Sequence, residues 1–209
     1  ADGEILAHIA EFDFAAVAET FRAEGVETAA VCFLNAYVND ANERAAAERL
    51  AELLPDVPIS QSAAVVRERG EYERFSTAVL NAYLTPTVRR YLATLRGELE
   101  GKGITAPVSI MGSNGGAMTL AQAGDFVVGT FLSGPVGGVV GALRVAEAAE
   151  IADCITFDMG GTSTDVALVH RLAPRIRHAN QLDAFPLQVP QLDIHTIGAG
   201  GGSIVKRQD

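Results

Sequence analysis

ITFDMGGTSTDVALV, residues 155–169, consists of two apolar, β-prone runs flanking a turn of glycines and hydroxyl residues. Ile155, Thr156 and Phe157 lead into Asp158, and Val166 to Val169 leave directly after Asp165. The pattern predicts a β-hairpin whose tip carries two carboxylates seven residues apart. Glycine lets backbone amides approach an anion closely, and successive N–H groups in such a turn form a phosphate nest. Gly160, Gly161, Thr162, Ser163 and Thr164 are therefore candidate phosphate-binding residues. Asp158 and Asp165 suit Mg²⁺, which takes one or two carboxylates and completes its shell with water and substrate phosphate. A tight hairpin with two acids at its turn is the plainer alternative. The length of D-x-G-G-T-x-T-D between two apolar strands favours the functional reading.

Outward from this hairpin, the chain alternates short strands with helices. Glu4–Ile9 is expected to be a strand, and Phe14, Val17, Ala18 and Phe21 recur at helical spacing until Gly25. Thr28–Leu34 reads as a strand buried on both faces. Asp40 with Glu43 resembles a capping box, opening a helix whose stripe is Ala46, Leu50, Leu53 and Leu54. Val57–Gln61 then returns as a strand, which makes a βαβ crossover. Glu71–Leu84 is helical, and Thr85-Pro86 predicts a kink or restart before the face formed by Leu84, Val88, Tyr91, Leu92, Leu95 and Leu99. Glu71, Glu73 and Arg74 fit either a solvated helix start or a cleft.

Val108–Met111 runs into GSNGG, a glycine turn at a strand end where α/β proteins place ligands; Asn114 is a candidate substrate contact there. Ser133-Gly134-Pro135 starts a helix on which Gly137 and Gly141 share a face, so close approach to that face is expected. Pro174–Ala179 is expected to add a third strand to the hairpin. In DIHTIGAGGGSI, residues 193–204, Asp193 and His195 point to one side of an extended segment. Two ligands are too few for a metal site, so His195 reads as hydrogen-bonded structure or a substrate contact. The run holding Gly200 and Gly201 lacks the GK[ST] of a P-loop and reads either as cleft-lining backbone, with Gly200 and Gly201 as candidate cofactor-binding residues, or as a plain loop.

Composition narrows the function classes. At 209 residues, 48% hydrophobic and 20% charged, the chain has the make-up of a globular α/β protein with a sizeable core. A net charge of −10 carries no basic footprint, which argues against nucleic acid as a partner. Residues 126–143 contain no charge, yet Ser133-Gly134-Pro135 interrupts them, giving a buried strand and a helix start rather than a membrane span. Cys32 and Cys154 lie in apolar runs and read as reduced core residues of a cytoplasmic protein; neither has the basic neighbours of a nucleophile.

FDMGGTSTDVALV resembles the second phosphate-binding hairpin of the sugar-kinase, chaperone and actin superfamily. With EYERFSTAVLNAYL (71–84), SNGG (113–116), LSGPVGGVVGA (132–142) and DIHTIGAGGGSI, it is more closely similar to the hydantoinase A and ATP-dependent 5-oxoprolinase family. The resemblance implies incomplete ribonuclease-H-like lobes: residues 1–131 from the later part of one, 132–152 as the interlobe hinge helix, and 153–209 as the start of the other. It implies ATP and Mg²⁺ as cofactors, Asp158 and Asp165 as the residues organising metal and water, and ATP hydrolysis coupled to opening a hydantoin-like or oxoproline-like ring. It further implies a second, hydantoinase-B-like subunit or domain, and it allows a homo-oligomer. An acetone-carboxylase-type subunit is the rival within the family, and a nucleotide-gated reactivase or chaperone is the non-enzymatic rival. Ala1 is not a methionine, and only one D-x-G-G-T hairpin is present, so the chain is expected to be a piece that does not turn over ATP alone.

Overall fold

A computed structural model of the chain describes residues 3–204 and 206. In chain order the elements are α1 (Phe14–Ala23), β1 (Ala29–Val31), α2 (Ala41–Leu53), β2 (Ile59–Gln61), α3 (Ser62–Val65), α4 (Glu71–Gly101), β3 (Ser109–Met111), β4 (Ala117–Thr119), α5 (Leu120–Asp125) and α6 (Ser133–Ala148). They continue as β5 (Cys154–Met159), β6 (Thr164–His170), β7 (Ala173–Pro174), β8 (Ile176–Arg177), β9 (Asn180–Leu182), β10 (Phe185–Leu187), β11 (Gln191–Leu192) and β12 (Ile194–Ile197). Two compact units interleave along this order. One contains residues 1–108, 119–128 and 179–189; the other contains 109–118, 129–178 and 190–209.

The first unit is built on the βαβ crossover. β1 and β2 pair in parallel, with Ala30 opposite Ser60, and α2 connects them. Phe14, Ala18, Val31, Ala46, Leu50 and Leu54 form its core. Asp13 caps α1 by accepting from the Ala16 N–H at 3.1 Å, and Gly25, at φ +64°, follows its end. Several expectations need correction. Glu4–Ile9 forms no strand; a 3₁₀ turn at Ile9–Glu11 takes its place. The strand expected over Thr28–Leu34 stops at Val31, because Phe33 bonds to side chains instead of a ladder: its N–H donates to Glu43 at 2.8 Å and its carbonyl accepts from Arg74 at 2.8 Å. Glu43 does not complete a capping box either. It is fully buried, and Asp40 makes no side-chain cap bond.

The 31 residues of α4 run unbroken through Pro86, a length of about 46 Å. The expected restart at Thr85-Pro86 is therefore absent; the Thr85 hydroxyl donates to the Asn81 carbonyl at 2.7 Å. Its buried stripe is largely polar and small: Arg74, Thr77, Ala78, Asn81, Ala82, Thr85 and Leu92. Asn81 explains why polar residues serve there. Its amide donates to Ser60 and to the Asp125 carbonyl, and its oxygen accepts from the Val128 N–H. The hairpin β9–β10 joins the same unit through the bond from Ser76 to the Pro186 carbonyl at 2.8 Å.

In the second unit β6 is central, with β5 antiparallel on one side and β12 antiparallel on the other. Val136 and Val139 of α6 pack with Ala167 and Leu192 on one face of this sheet. On the other face Ile155, Phe157, Met159, Leu168 and Ile197 are all exposed. The third strand expected at Pro174–Ala179 is only partly present. Ala173 and Pro174 pair with β6, but Ile176 and Arg177 pair with β11, and β12 lies on β6 at the turn end. A tight turn precedes β7, with Arg171 and Leu172 at φ +51° and +58°. Asp153 braces that turn, accepting from the Arg171 N–H at 3.0 Å and bonding the His170 ring at 2.6 Å; these bonds hold its carboxyl below the ordinary carboxylate range.

The segment before α6 is a 3₁₀ turn at Val127–Thr130, not the expected strand, and no helix among the described residues is long and apolar enough to cross a membrane. The glycine expectation on α6 also shifts. A Cβ at Gly137 or Gly141 would meet nothing within 4 Å, whereas one at Gly138 would lie 3.3 Å from an Asp158 carboxylate oxygen.

Candidate functional site

The hairpin forms as its sequence requires. β5 and β6 pair from Cys154↔Val169 to Met159↔Thr164, and the Gly160 N–H closes the turn on the Ser163 carbonyl at 2.9 Å. Asp158 lies directly opposite Asp165 in this register, so both side chains rise from one face at the turn end. Thr196 of β12 lies opposite Asp165 on the other side, and its hydroxyl donates to Asp165 Oδ1 at 2.6 Å. Neither carboxylate forms an ion pair among the described residues. Like charges directly opposite on a sheet are destabilising by roughly 0.2–1 kcal/mol, so the pair is retained at a cost.

The glycine run packs onto this turn, 40 residues away in sequence. The Gly201 N–H donates to the Gly160 carbonyl at 2.9 Å, and the Thr164 hydroxyl donates to the Ala199 carbonyl at 2.5 Å. Gly200 is buried, its N–H donating to the Ser203 hydroxyl at 3.0 Å. The hydroxyl of Thr164 and the amides of Gly200 and Gly201 are thus engaged within the fold. The amides of Gly161, Thr162 and Ser163 have no partner among the described residues and stand available to an anion.

A Cβ on Gly200 would lie 2.5–2.6 Å from the Gly161 carbonyl carbon and oxygen and the Thr162 nitrogen, all of them backbone. Gly200→Ala is therefore expected to cost about 1–3 kcal/mol or more through overpacking. Thermal melting of the 209-residue chain checks this, with Gly161→Ala as the control, since a Cβ there would meet nothing within 4 Å. Equal stability of the two variants would show that the glycine run does not lock the turn.

His195 and Asn114 are not brought to the carboxylates. His195 pairs with Val166, so its side chain lies on the sheet face opposite Asp165. Asp193 is taken by arginines, with Arg177 at 2.5 Å and Arg175 at 3.9 Å, and no group of three or more potential metal ligands occurs among the described residues. The Asn114 amide oxygen accepts from the Gly116 N–H at 2.9 Å, bracing its own turn. It lines a separate cavity of about 320 Å³ with Val140, Arg144, Glu147, Leu172 and Pro174, beyond the opposite end of β6.

Cys32 is no nucleophile. Burial, followed by the neighbouring Glu43 carboxylate, pushes its thiol up to about 11 from 9.0. At pH 8 its alkylation by iodoacetamide is expected to be about 100-fold slower in the folded chain than in urea, in line with the lost thiolate fraction. The raised value also makes folding less favourable as pH climbs through the 9-to-11 window, because the unfolded state releases the proton first.

Nothing in the sequence marks Thr196 or Gly138. Thr196 sits in an alternating strand where threonine is ordinary, and nothing local distinguishes Gly138 from Gly137 or Gly141.

Comparison with known proteins places this chain in a family. The hydantoinase/oxoprolinase family model matches residues 74–209. The caprolactamase α subunit of Pseudomonas jessenii is 32% identical over all of this chain and 30% of its own length. The 5-oxoprolinase of Saccharomyces cerevisiae is 34% identical over 88% of the chain and 14% of its own length. The crystal structure of the ATP-dependent caprolactamase superposes with a TM-score of 0.88 at 31% identity, covering the whole chain and 30% of that protein. A nucleotide-free structure of acetone carboxylase, an ATP-dependent enzyme, matches with a TM-score of 0.73 at 27% identity, over 90% of the chain and 27% of that protein. The chain thus spans less than a third of the length of these relatives. On the family match over the larger part of its length, this chain belongs to the hydantoinase/oxoprolinase family.

Proposed function

We propose that the chain is part of a cytoplasmic ATP-dependent enzyme that opens a cyclic amide, and that the β5–β6 hairpin holds the nucleotide phosphates. The observation that carries this reading is the facing pair Asp158 and Asp165 at the mouth of the Gly160–Ser163 turn. The ring-opening relatives, caprolactamase and 5-oxoprolinase, supply the reaction class. The incomplete ribonuclease-H-like lobes, with residues 132–152 as the helix linking them in the chain, belong to the same proposal. The mixed helix and strand architecture and the likeness to the caprolactamase structure support it.

The donor set fits Mg²⁺. Two carboxylates on one sheet face, unpaired with any cation, provide hard oxygen ligands and leave room for water and phosphate oxygens. Asp158 and Asp165 would hold the hydrated ion, which neutralises charge on a transferring phosphoryl group. The free amides of Gly161, Thr162 and Ser163 would bind phosphate oxygens, and Gly200 and Gly201 pack against the turn and hold its shape. A phosphoryl group transferred from ATP to the amide oxygen would end amide resonance and make the ring carbon open to water. The C–N bond would then break with the ring nitrogen leaving as the amine, and hydrolysis of the resulting acyl phosphate would release phosphate, which accounts for the need for ATP. A partner subunit is part of this reading, since the caprolactamase relative is itself an α subunit.

ADP release by the full-length protein with its partner subunit tests the proposal. A lactam or 5-oxoproline is expected to stimulate it. The acetone carboxylase likeness favours one second reading, a carboxylase subunit, and stimulation by bicarbonate plus ketone alone would establish that instead. Hydrolysis indifferent to any small molecule would leave the nucleotide-gated chaperone.

A further inference from the structure

We propose that Thr196 is a positioning residue for the hairpin carboxylates, setting the direction in which Asp165 presents its free oxygen. The proposal rests on the nucleotide reading above. Asp158, Asp165 and Thr196 form one row across three strands, each directly opposite its neighbour in the ladder. A carboxylate only accepts, so the 2.6 Å contact is a bond donated by the Thr196 hydroxyl to Asp165 Oδ1. With that oxygen tied to β12, Oδ2 is the Asp165 oxygen left for a cation. Asp158 is the other ligand, and Gly138 of α6 leaves it room: an added Cβ at that position would lie 3.3 Å from Asp158 Oδ2. A hydroxyl thus orients one ligand, and the absence of a side chain at Gly138 leaves the other its space.

The chemistry requires such an arrangement. Two unrestrained carboxylates facing each other turn apart, because like charges on opposed strands repel. A cation draws them together only if the cost of ordering them has already been met, and outer hydrogen bonds to the ligands meet it. Thr196 is exposed, so its hydroxyl has water as an alternative partner and its bond to Asp165 contributes little to folding. Valine at this position preserves the β-branched shape of the strand and removes only the donor.

The test compares Thr196→Val, Thr196→Ser, Asp158→Ala and Asp165→Ala in the full-length protein, with Mn²⁺ as the probe, its binding in the presence of ADP followed by electron paramagnetic resonance. Thr196→Val is expected to weaken Mn²⁺ binding by about 10- to 100-fold. Thr196→Ser should restore it, and melting temperatures without metal should be unchanged. Unaltered Mn²⁺ affinity in Thr196→Val, with binding lost in both aspartate variants, would overturn the role of Thr196 and leave the nucleotide site standing. Unaltered affinity in the aspartate variants would remove the nucleotide site itself.

Discussion

Replacing Asp158 or Asp165 by Ala in the full-length enzyme is expected to lower ATP turnover by about 10²–10³-fold or more, the scale of losing one electrostatic contact to a transition state. The same substitutions should not harm the fold. Asp158 is exposed, Asp165 is half-buried, and the two face each other across the ladder with no cation between them. Removing either one relieves like-charge repulsion worth roughly 0.2–1 kcal/mol, so melting temperature should hold or rise slightly. That opposition of signs, activity down and stability level or up, marks residues kept for chemistry rather than for folding. Steady-state ADP release and thermal melts of the two variants measure both quantities. Normal turnover in either variant would end the assignment, and a collapsed fold would show the carboxylates to be structural.

The hairpin was legible because its signal is local: alternating β-prone residues, a glycine turn and two flanking acids determine register and face together. The glycine run was legible as special but not in its partner. Its contact with Gly160, Gly161 and Thr164 is a long-range packing event, and no local pattern encodes which backbone it will touch. Asp40 and Glu43 carry the spacing of a capping box, yet the same spacing lets Glu43 turn inward once Ser62 and Arg74 are there to receive it. Thr85-Pro86 reads as a helix start, but a proline inside a helix removes one donor, and a buried stripe on both sides holds the helix together. Arg171 and Leu172 hold positive φ angles that usually belong to Asn and Gly, so the turn into β7 left no sequence mark; Asp153 supplies the compensating bonds. His195 and Asn114 stand out in the sequence by residue type, and residue type alone does not say which face of a sheet or which cavity a side chain joins.

The largest loss of stability is expected from breaking the buried network around Arg74. Glu43 and Arg74 are both fully buried, and they communicate through Ser62, whose hydroxyl donates to Glu43 at 2.8 Å and accepts from Arg74 at 3.1 Å. The Glu43 carboxylate also accepts the Phe33 and Ala63 amides, at 2.8 and 2.7 Å. Arg74 donates to the carbonyls of Phe33 and Glu68, pairs with Glu71, and lies against the Tyr37 and Phe75 rings at 5.6 and 5.2 Å. These bonds tie the end of β1, the start of α3 and the first turn of α4 together, which is why a strand and two helices meet here with so few apolar side chains. Arg74→Met leaves a carboxylate buried without its counter-charge, and Glu43→Ala leaves two amides and a hydroxyl unsatisfied. Each is expected to cost about 3–5 kcal/mol, which at roughly 2–4 °C per kcal/mol for a chain of this size lowers the melting temperature by about 6–20 °C. The double variant should lose less than the sum, because the second change removes a charge that the first has already stranded. Breaking the exposed pair Arg49–Glu52, 2.7 Å apart at the surface, should change stability by no more than about 0.5 kcal/mol and serves as the control. Should Arg74→Met melt with that surface variant rather than well below it, the network would be a passenger of the fold and the apolar core of the first unit would carry the stability alone.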